Sequence, residues 1–198
     1  MLDNARVRKA ASTVLDPVAR ALLRMHATPA GVTVAGSIGA VIVSVCLIAR
    51  GVFLPAALLM LPLAGADALD GTMARISGTA SRWGGFLDST TDRITDGAIF
   101  ASFAWWAFDA DRRLAVAALV ALIAGFVTSY TRAKAESLGI ECKVGVAERP
   151  ERVGGIMTAA GLAGLGVPYV LPIALYAIAL LSCITVWQRT SLVRRSLA

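Results

Sequence analysis

The chain has 198 residues, of which 57% are hydrophobic and 16% charged, with a formal net charge of +6 and a mean hydropathy of +0.71. Soluble globular domains carry about 25% charged residues, so this composition excludes an ordinary water-soluble domain and points to a bilayer. The positive charge suits anionic head groups or an anionic substrate. A nucleic-acid partner is not expected, because no basic stripe interleaves with aromatics.

Residues 4–25 come first. Val7, Ala11, Val14, Leu15, Val18 and Leu22 recur at helical spacing, with Arg6, Arg8, Lys9, Arg20 and Arg24 at other positions. That pattern predicts an amphipathic helix lying in the membrane interface. Asp16-Pro17 is expected to break or restart it, and Thr28-Pro29 to end it. His26 reads as a solvated interfacial residue. Six apolar spans follow, at about 31–49, 53–76, 84–107, 113–137, 153–168 and 170–188. The expected fold is therefore all-α: a polytopic membrane protein with six transmembrane helices behind an N-terminal amphipathic helix. Its division is a juxtamembrane segment over 1–28 and one membrane domain over 29–198. Cys46, Cys142 and Cys183 are too widely spaced for a disulfide framework or a zinc site. Trp83, Trp105, Trp106 and Trp187 fall near span ends and read as interfacial anchors.

The basic residues supply an independent check. Sixteen of the nineteen lie in the N-terminal segment, in or beside the second and fourth connections, and in the C-terminal tail, leaving Arg50, Arg112 and Arg113 on the other side. By the positive-inside rule both termini face the cytoplasm.

The most informative stretch holds Asp67, Asp70, Gly71, Ala74 and Arg75, followed by Gly84, Asp88 and Asp92. Intramembrane carboxylates are costly and default to functional roles. Asp67 and Asp70, three apart, share a face at the end of one span; Asp88 and Asp92, four apart, share a face at the start of the next. A short connection makes the two spans antiparallel neighbours, so the pairs can face one another. Four acids this close need a cation to ionise together. Hard oxygen ligands select Mg²⁺, Mn²⁺ or Ca²⁺, and Mg²⁺ commonly joins carboxylates to substrate phosphates. Two such ions could clamp a pyrophosphate, and Arg75 offers a fork of donors to a phosphate. The opposing reading, acids neutralised by Arg75, Arg82 and Arg93 as structural pairs, leaves the spacing unexplained. Asp96, one turn further, reads as a structural polar contact.

The pattern Asp67-x2-Asp70-Gly71-x2-Ala74-Arg75-x8-Gly84-x3-Asp88-x3-Asp92 resembles the signature of the CDP-alcohol phosphotransferases at every position. The resemblance implies that Asp67, Asp70, Asp88 and Asp92 hold a pair of divalent metals, Mg²⁺ with Mn²⁺ as the alternative. It implies that Gly71, Ala74, Arg75, Ser81 and Gly84 surround the CDP moiety, and that Asp92 is also the general base. The segment Ala30, Gly31, Val32 and Thr33 resembles a family segment touching the nucleotide, although asparagine is often found where this chain has Ala30. Family members are typically homodimers embedded among membrane lipids.

A second cluster comprises Arg132, Lys134, Arg149, Arg152 and the C-terminal Arg189, Arg194 and Arg195. It can serve topology and lipid contact, or form a pocket for an acceptor that carries its own phosphate. Arg149 and Arg152, three apart at a helix start, are the pair best placed to converge on one anion. These segments are similar to those of actinobacterial phosphatidylinositol phosphate synthases. That similarity implies phosphatidyl transfer from CDP-diacylglycerol to inositol 1-phosphate, with Lys134, Arg152 and Arg195, then Arg132 and Arg149, on the acceptor phosphate. Glycerol 3-phosphate is the alternative acceptor. A secondary transporter and an inactive lipid-binding protein are the readings from other classes. Transporter sites lie nearer the bilayer midplane, and an inactive relative would be expected to lack a motif acid.

Overall fold

The computed structural model describes residues 15–197, with the side chain of Asp67 excepted. After helix α1 over residues 15–24 come α2 (Pro29–Cys46), a 3-10 turn (Ile48–Arg50), α3 (Phe53–Ser77), α4 (Arg82–Ala110), α5 (Arg112–Ser137), α6 (Arg149–Gly164) and α7 (Val170–Leu197). Among the described residues there is no strand.

Capping chemistry explains where these helices begin and end. The Thr28 hydroxyl accepts from the Gly31 N–H at 3.1 Å, so Thr28-Pro29 starts α2 rather than ending the preceding element; proline suits a first helical position because its missing N–H would be unsatisfied there. Ser81 accepts from the Gly84 N–H at the start of α4, and Asp111 from the Arg113 N–H at the start of α5. α3 closes with Gly78 at φ 68° and a return bond from the Thr79 N–H to the Ala74 carbonyl. That left-handed stop leaves only residues 78–81 between α3 and α4.

Helices α2 to α7 lie on the six expected spans, but four have the length and hydropathy to cross a membrane: Pro29–Arg50, Phe53–Ser77, Arg112–Ser137 and Val170–Leu197. α4 has the length, at 29 residues, but carries Asp88, Asp92, Arg93 and Asp96. α6 has 16 residues and begins four residues before its expected span, giving a rise of about 24 Å. α7 runs on to Leu197, well past the expected end at 188.

Of the expected amphipathic helix, Arg6, Val7, Arg8, Lys9, Ala11 and Val14 lie outside the described residues. In α1, Ala19 is buried while Val18, Arg20 and Arg24 are exposed. α1 stops after residue 24, and His26, with a φ of 61°, takes the left-handed position of the stop, with bonds from His26 N–H to Leu23 and Ala27 N–H to Leu22.

The chain divides into two compact units. The first takes residues as far as Ile42 with Leu59–Thr95. Here α2 and α3 meet along a close seam: a Cβ on Gly36 would lie 2.9 Å from Ala66 Cβ, and one on Gly39 2.9 Å from a Leu63 methyl. The Ser37 hydroxyl joins α2 to α4 through Thr95 Oγ1 at 3.0 Å.

The second unit takes Val43–Leu58 with the chain from Asp96 onward. α5 and α6 both pack on α7, and the end of α6 presses against the start of α3, where a Cβ on Gly164 would sit 2.5 Å from Leu54 N. Trp106 packs edge-on against Phe53 at 4.8 Å, so it is a packing residue. Trp83, Trp105 and Trp187 are exposed, as anchors would be.

Large apolar side chains are exposed along the helices. On α2, Ile38, Ile42 and Val45 are exposed while Thr33 and Ser44 are buried. Large apolar groups on the exterior, over a core that is itself mostly apolar, suit a hydrocarbon surround.

Candidate active site

In the first unit the aspartates are delivered by two helices and steadied by a third. Asp70 is buried on α3, 7% exposed, and accepts a hydrogen bond from the Thr33 hydroxyl. Thr33 also donates to the Pro29 carbonyl at 3.1 Å. The contact follows from the seam, in which Gly39 meets Leu63, Gly36 meets Ala66 and Thr33 meets Asp70, an antiparallel register with helical spacing on both sides. Thr33, expected against the nucleotide, therefore holds a carboxylate. Ala30 and Val32 are half-buried and Gly31 exposed beside it.

On α4, Asp88 and Asp92 are both half-buried, and the Asp92 carboxylate lies 3.7 Å from the Arg93 guanidinium. Arg75 folds back along α3, donating from Nε to the Gly71 carbonyl at 3.1 Å and from its guanidinium to Thr72 Oγ1 at 2.9 Å. Ser81, expected near the CDP moiety, caps α4. Among the described residues, no atom that a Cβ would have to clear lies within 4 Å at Gly71, and the nearest to Gly84 is Ser81 Oγ at 3.5 Å. Helix packing therefore does not demand glycine at either place. Ala74 is half-buried.

This donor set suits a hard divalent cation. Among the described residues no three acidic, histidine or cysteine side chains form a ready-made cage. Mg²⁺ does not need one, since it keeps several waters and binds through one or two carboxylates together with substrate phosphates.

In the second unit the expected basic cluster is partly assembled. Arg149 donates from Nε to Asp96 Oδ1 at 3.1 Å, and the Arg152 guanidinium lies 3.5 Å from Asp96 Oδ2. The two arginines thus do converge on one anion, and that anion is Asp96. Arg152 is 1% exposed and also donates to the Ala147 carbonyl at 2.9 Å. Arg132 pairs with Glu136 at 2.9 Å, while Lys134 and Arg195 are exposed in the last turns of α5 and α7.

On α7 the basic residue drawn into this cluster is Arg189 rather than Arg195. Buried, it donates to the Val144 carbonyl, the Thr128 carbonyl and Glu148 Oε1. Thr185, one turn earlier, accepts from the Ala147 N–H at 3.0 Å, so one face of α7 holds the loop from α5 to α6. Only glycine fits this loop at residue 145: its φ is 149°, and a Cβ would lie 2.5 Å from Thr185 Cγ2. Further out, the hydrogen bond and charge of Lys143 hold the Glu141 carboxyl below its ordinary range.

Signature, helices and acidic site together find their counterpart in known proteins. The chain belongs to the CDP-alcohol phosphatidyltransferase family, whose model matches residues 25–189. It is 40% identical to a phosphatidylinositol phosphate synthase of Corynebacterium glutamicum, covering 96% of this chain and 88% of that one. It is 45% identical to one from Cutibacterium acnes, over 92% and 93% of the two chains. The crystal structure of the Mycobacterium tuberculosis phosphatidylinositol phosphate synthase with CDP-DAG bound superposes with a TM-score of 0.87, at 38% identity, covering 91% of this chain and 94% of that one. The same enzyme in complex with manganese and citrate gives 0.86 at 37% identity, over 89% and 87% of the chains.

Proposed function

We propose that this chain is a membrane-embedded phosphatidyltransferase that moves the phosphatidyl group of CDP-diacylglycerol onto inositol 1-phosphate, releasing CMP and forming phosphatidylinositol phosphate. The observation that carries the reading is the complete acidic signature on α3 and α4 in a chain about 40% identical, along nearly its whole length, to enzymes named for that product.

Asp67, Asp70, Asp88 and Asp92 hold the divalent metal, Mg²⁺ with Mn²⁺ able to replace it; the relative solved with manganese supports this. The metal supplies charge neutralisation at the pyrophosphate and a stabilised leaving group. Thr33 orients Asp70 by donating its hydroxyl hydrogen to the carboxylate. Asp92 takes the proton from the acceptor hydroxyl as that oxygen attacks the β-phosphorus and CMP leaves. Gly71 and Gly84 let the nucleotide approach the backbone, with Ala74, Arg75, Ser81 and the segment Ala30 to Thr33 around it. Lys134, Arg149 and Arg152 bind the acceptor phosphate, with Arg132 and Arg195 at its margin.

The chain spans the bilayer six times. α4 crosses with its acids at the cytoplasmic end, α6 crosses as a short helix, and both termini and the site face the cytoplasm. Residues 15–28 lie along the surface ahead of the membrane domain, and two copies pair in the membrane. Basic-residue placement supports the orientation, and the apolar exterior supports the burial in lipid.

The test is CMP release by purified protein with CDP-diacylglycerol and Mg²⁺, offered inositol 1-phosphate, glycerol 3-phosphate, inositol or serine separately. Turnover with inositol 1-phosphate alone, lost with a chelator and restored by Mg²⁺ or Mn²⁺, is the expected result. Turnover with another acceptor keeps the reaction class and reassigns the pocket. No CMP from any of them, with folded protein, removes the reading.

A further inference from the structure

The buried acid outside the signature is Asp96. It follows Asp92 by one turn of α4, and its side chain is 5% exposed. Its two oxygens are divided between two guanidiniums, Oδ1 to Arg149 and Oδ2 to Arg152. We propose that Asp96 is a positioning residue, which locks Arg149 and Arg152 into a single binding unit for the acceptor's phosphate. The proposal rests on the functional reading above, in which these arginines meet that phosphate.

Electrostatics makes such a residue necessary. Arg149 and Arg152 occupy the first turn of α6, where the helix dipole is positive and two further cations are unfavourable. Glu151 is the acid of that turn; Glu148, at the cap, is bonded to Arg189. A carboxylate between the guanidiniums offsets both repulsions.

The two arginines are held to different depths. Arg152 lies against Gly125, where a Cβ would come within 3.3 Å of its Nε, and is bonded to Ala147. The Arg149 side chain is 27% exposed, so it is the member reaching solvent. Asp96 ties the exposed arginine to the buried one, which in turn is braced by the loop that Thr185 and Arg189 hold on α7.

The sign of the effect separates positioning from competition. If Asp96 only competed with the acceptor for these arginines, neutralising it would tighten acceptor binding. If it positions them, Asp96→Asn leaves two like charges in a site where Arg152 has almost no access to water; the pair then separates and acceptor binding weakens.

The experiment is steady-state CMP release by full-length Asp96→Asn and Asp96→Glu in micelles, with inositol 1-phosphate and glycerol 3-phosphate run in parallel. For the phosphorylated acceptor that wild type uses, the expected result is a KM raised about tenfold or more in Asp96→Asn and partly restored in Asp96→Glu, with the KM for CDP-diacylglycerol changed less than about twofold. An unchanged or lowered acceptor KM overturns the proposal. So does an equal rise for both substrates, or loss of CDP-diacylglycerol turnover in both variants, which assigns Asp96 to the fold alone. Wild-type turnover with glycerol 3-phosphate instead corrects the functional reading while still testing Asp96 on that acceptor. Turnover only with unphosphorylated acceptors ends both.

Discussion

A hydroxyl donated to a buried carboxylate has two effects: it satisfies a costly acceptor, and it fixes where the charge points. Thr33 does both for Asp70. Hydrogen bonds to charged groups contribute about 1.5–3 kcal/mol, so Thr33→Val should cost stability on that scale. It should also lower CMP release, with the KM for the acceptor unchanged. Thermal unfolding and kinetics measured together check this; a variant equal to wild type in both would return Thr33 to a packing role. Asp92→Asn should bind CDP-diacylglycerol and lose turnover by about a hundredfold or more, read as nucleotide-lipid binding against CMP release. The acids of the signature were legible in the sequence because intramembrane charge has few structural uses. Thr33's partner was not, since a contact across 37 residues depends on the helix seam and not on local spacing. That Arg189 rather than Arg195 is the buried member of the C-terminal basic group was hidden for a related reason. Its face of α7 is shared with Thr185 one turn away, and nothing in composition separates that face from a tail of topological charge.

The helices themselves were legible from their apolar runs, whereas the caps at Thr28, Ser81 and Asp111 emerged only from the structure. What the helices cross was less legible. Hydropathy marks the helices at Pro29–Arg50, Phe53–Ser77, Arg112–Ser137 and Val170–Leu197, whereas α4 spends its apolar character on acids and α6 is short. Glycines within helices divide into two kinds that sequence alone does not separate. Gly36 and Gly39 are packed against α3, while Gly71 has no packing neighbour within 4 Å among the described residues. Gly36→Val should therefore lower the melting temperature, since forcing side chain into a filled seam costs about 1–3 kcal/mol. Gly71→Ala should leave that temperature unchanged and raise the KM for CDP-diacylglycerol. The reverse pattern would exchange the two roles.

Across the whole molecule, the orientation in the bilayer rests on charge. Sixteen of nineteen basic residues fall on one proposed side, a bias that sets orientation when it is carried by short connections. In protein freed of Cys46, Cys142 and Cys183, a cysteine at Arg112 should react with an impermeant reagent in intact cells. One at Glu141 should react only after the membrane is opened, and labelling of both from outside would reject the six-span arrangement.

The shortness of α6 has a mechanical side. Its rise of about 24 Å falls short of a hydrocarbon layer about 30 Å thick, so under the proposed six-span arrangement the bilayer around it would thin locally or leave one helix end submerged. α6 begins with Arg149 and Arg152, so thinning at that end would bring the lipid surface down to those arginines. A water-borne acceptor would then have less far to descend, and membrane thickness becomes a variable of the enzyme's environment.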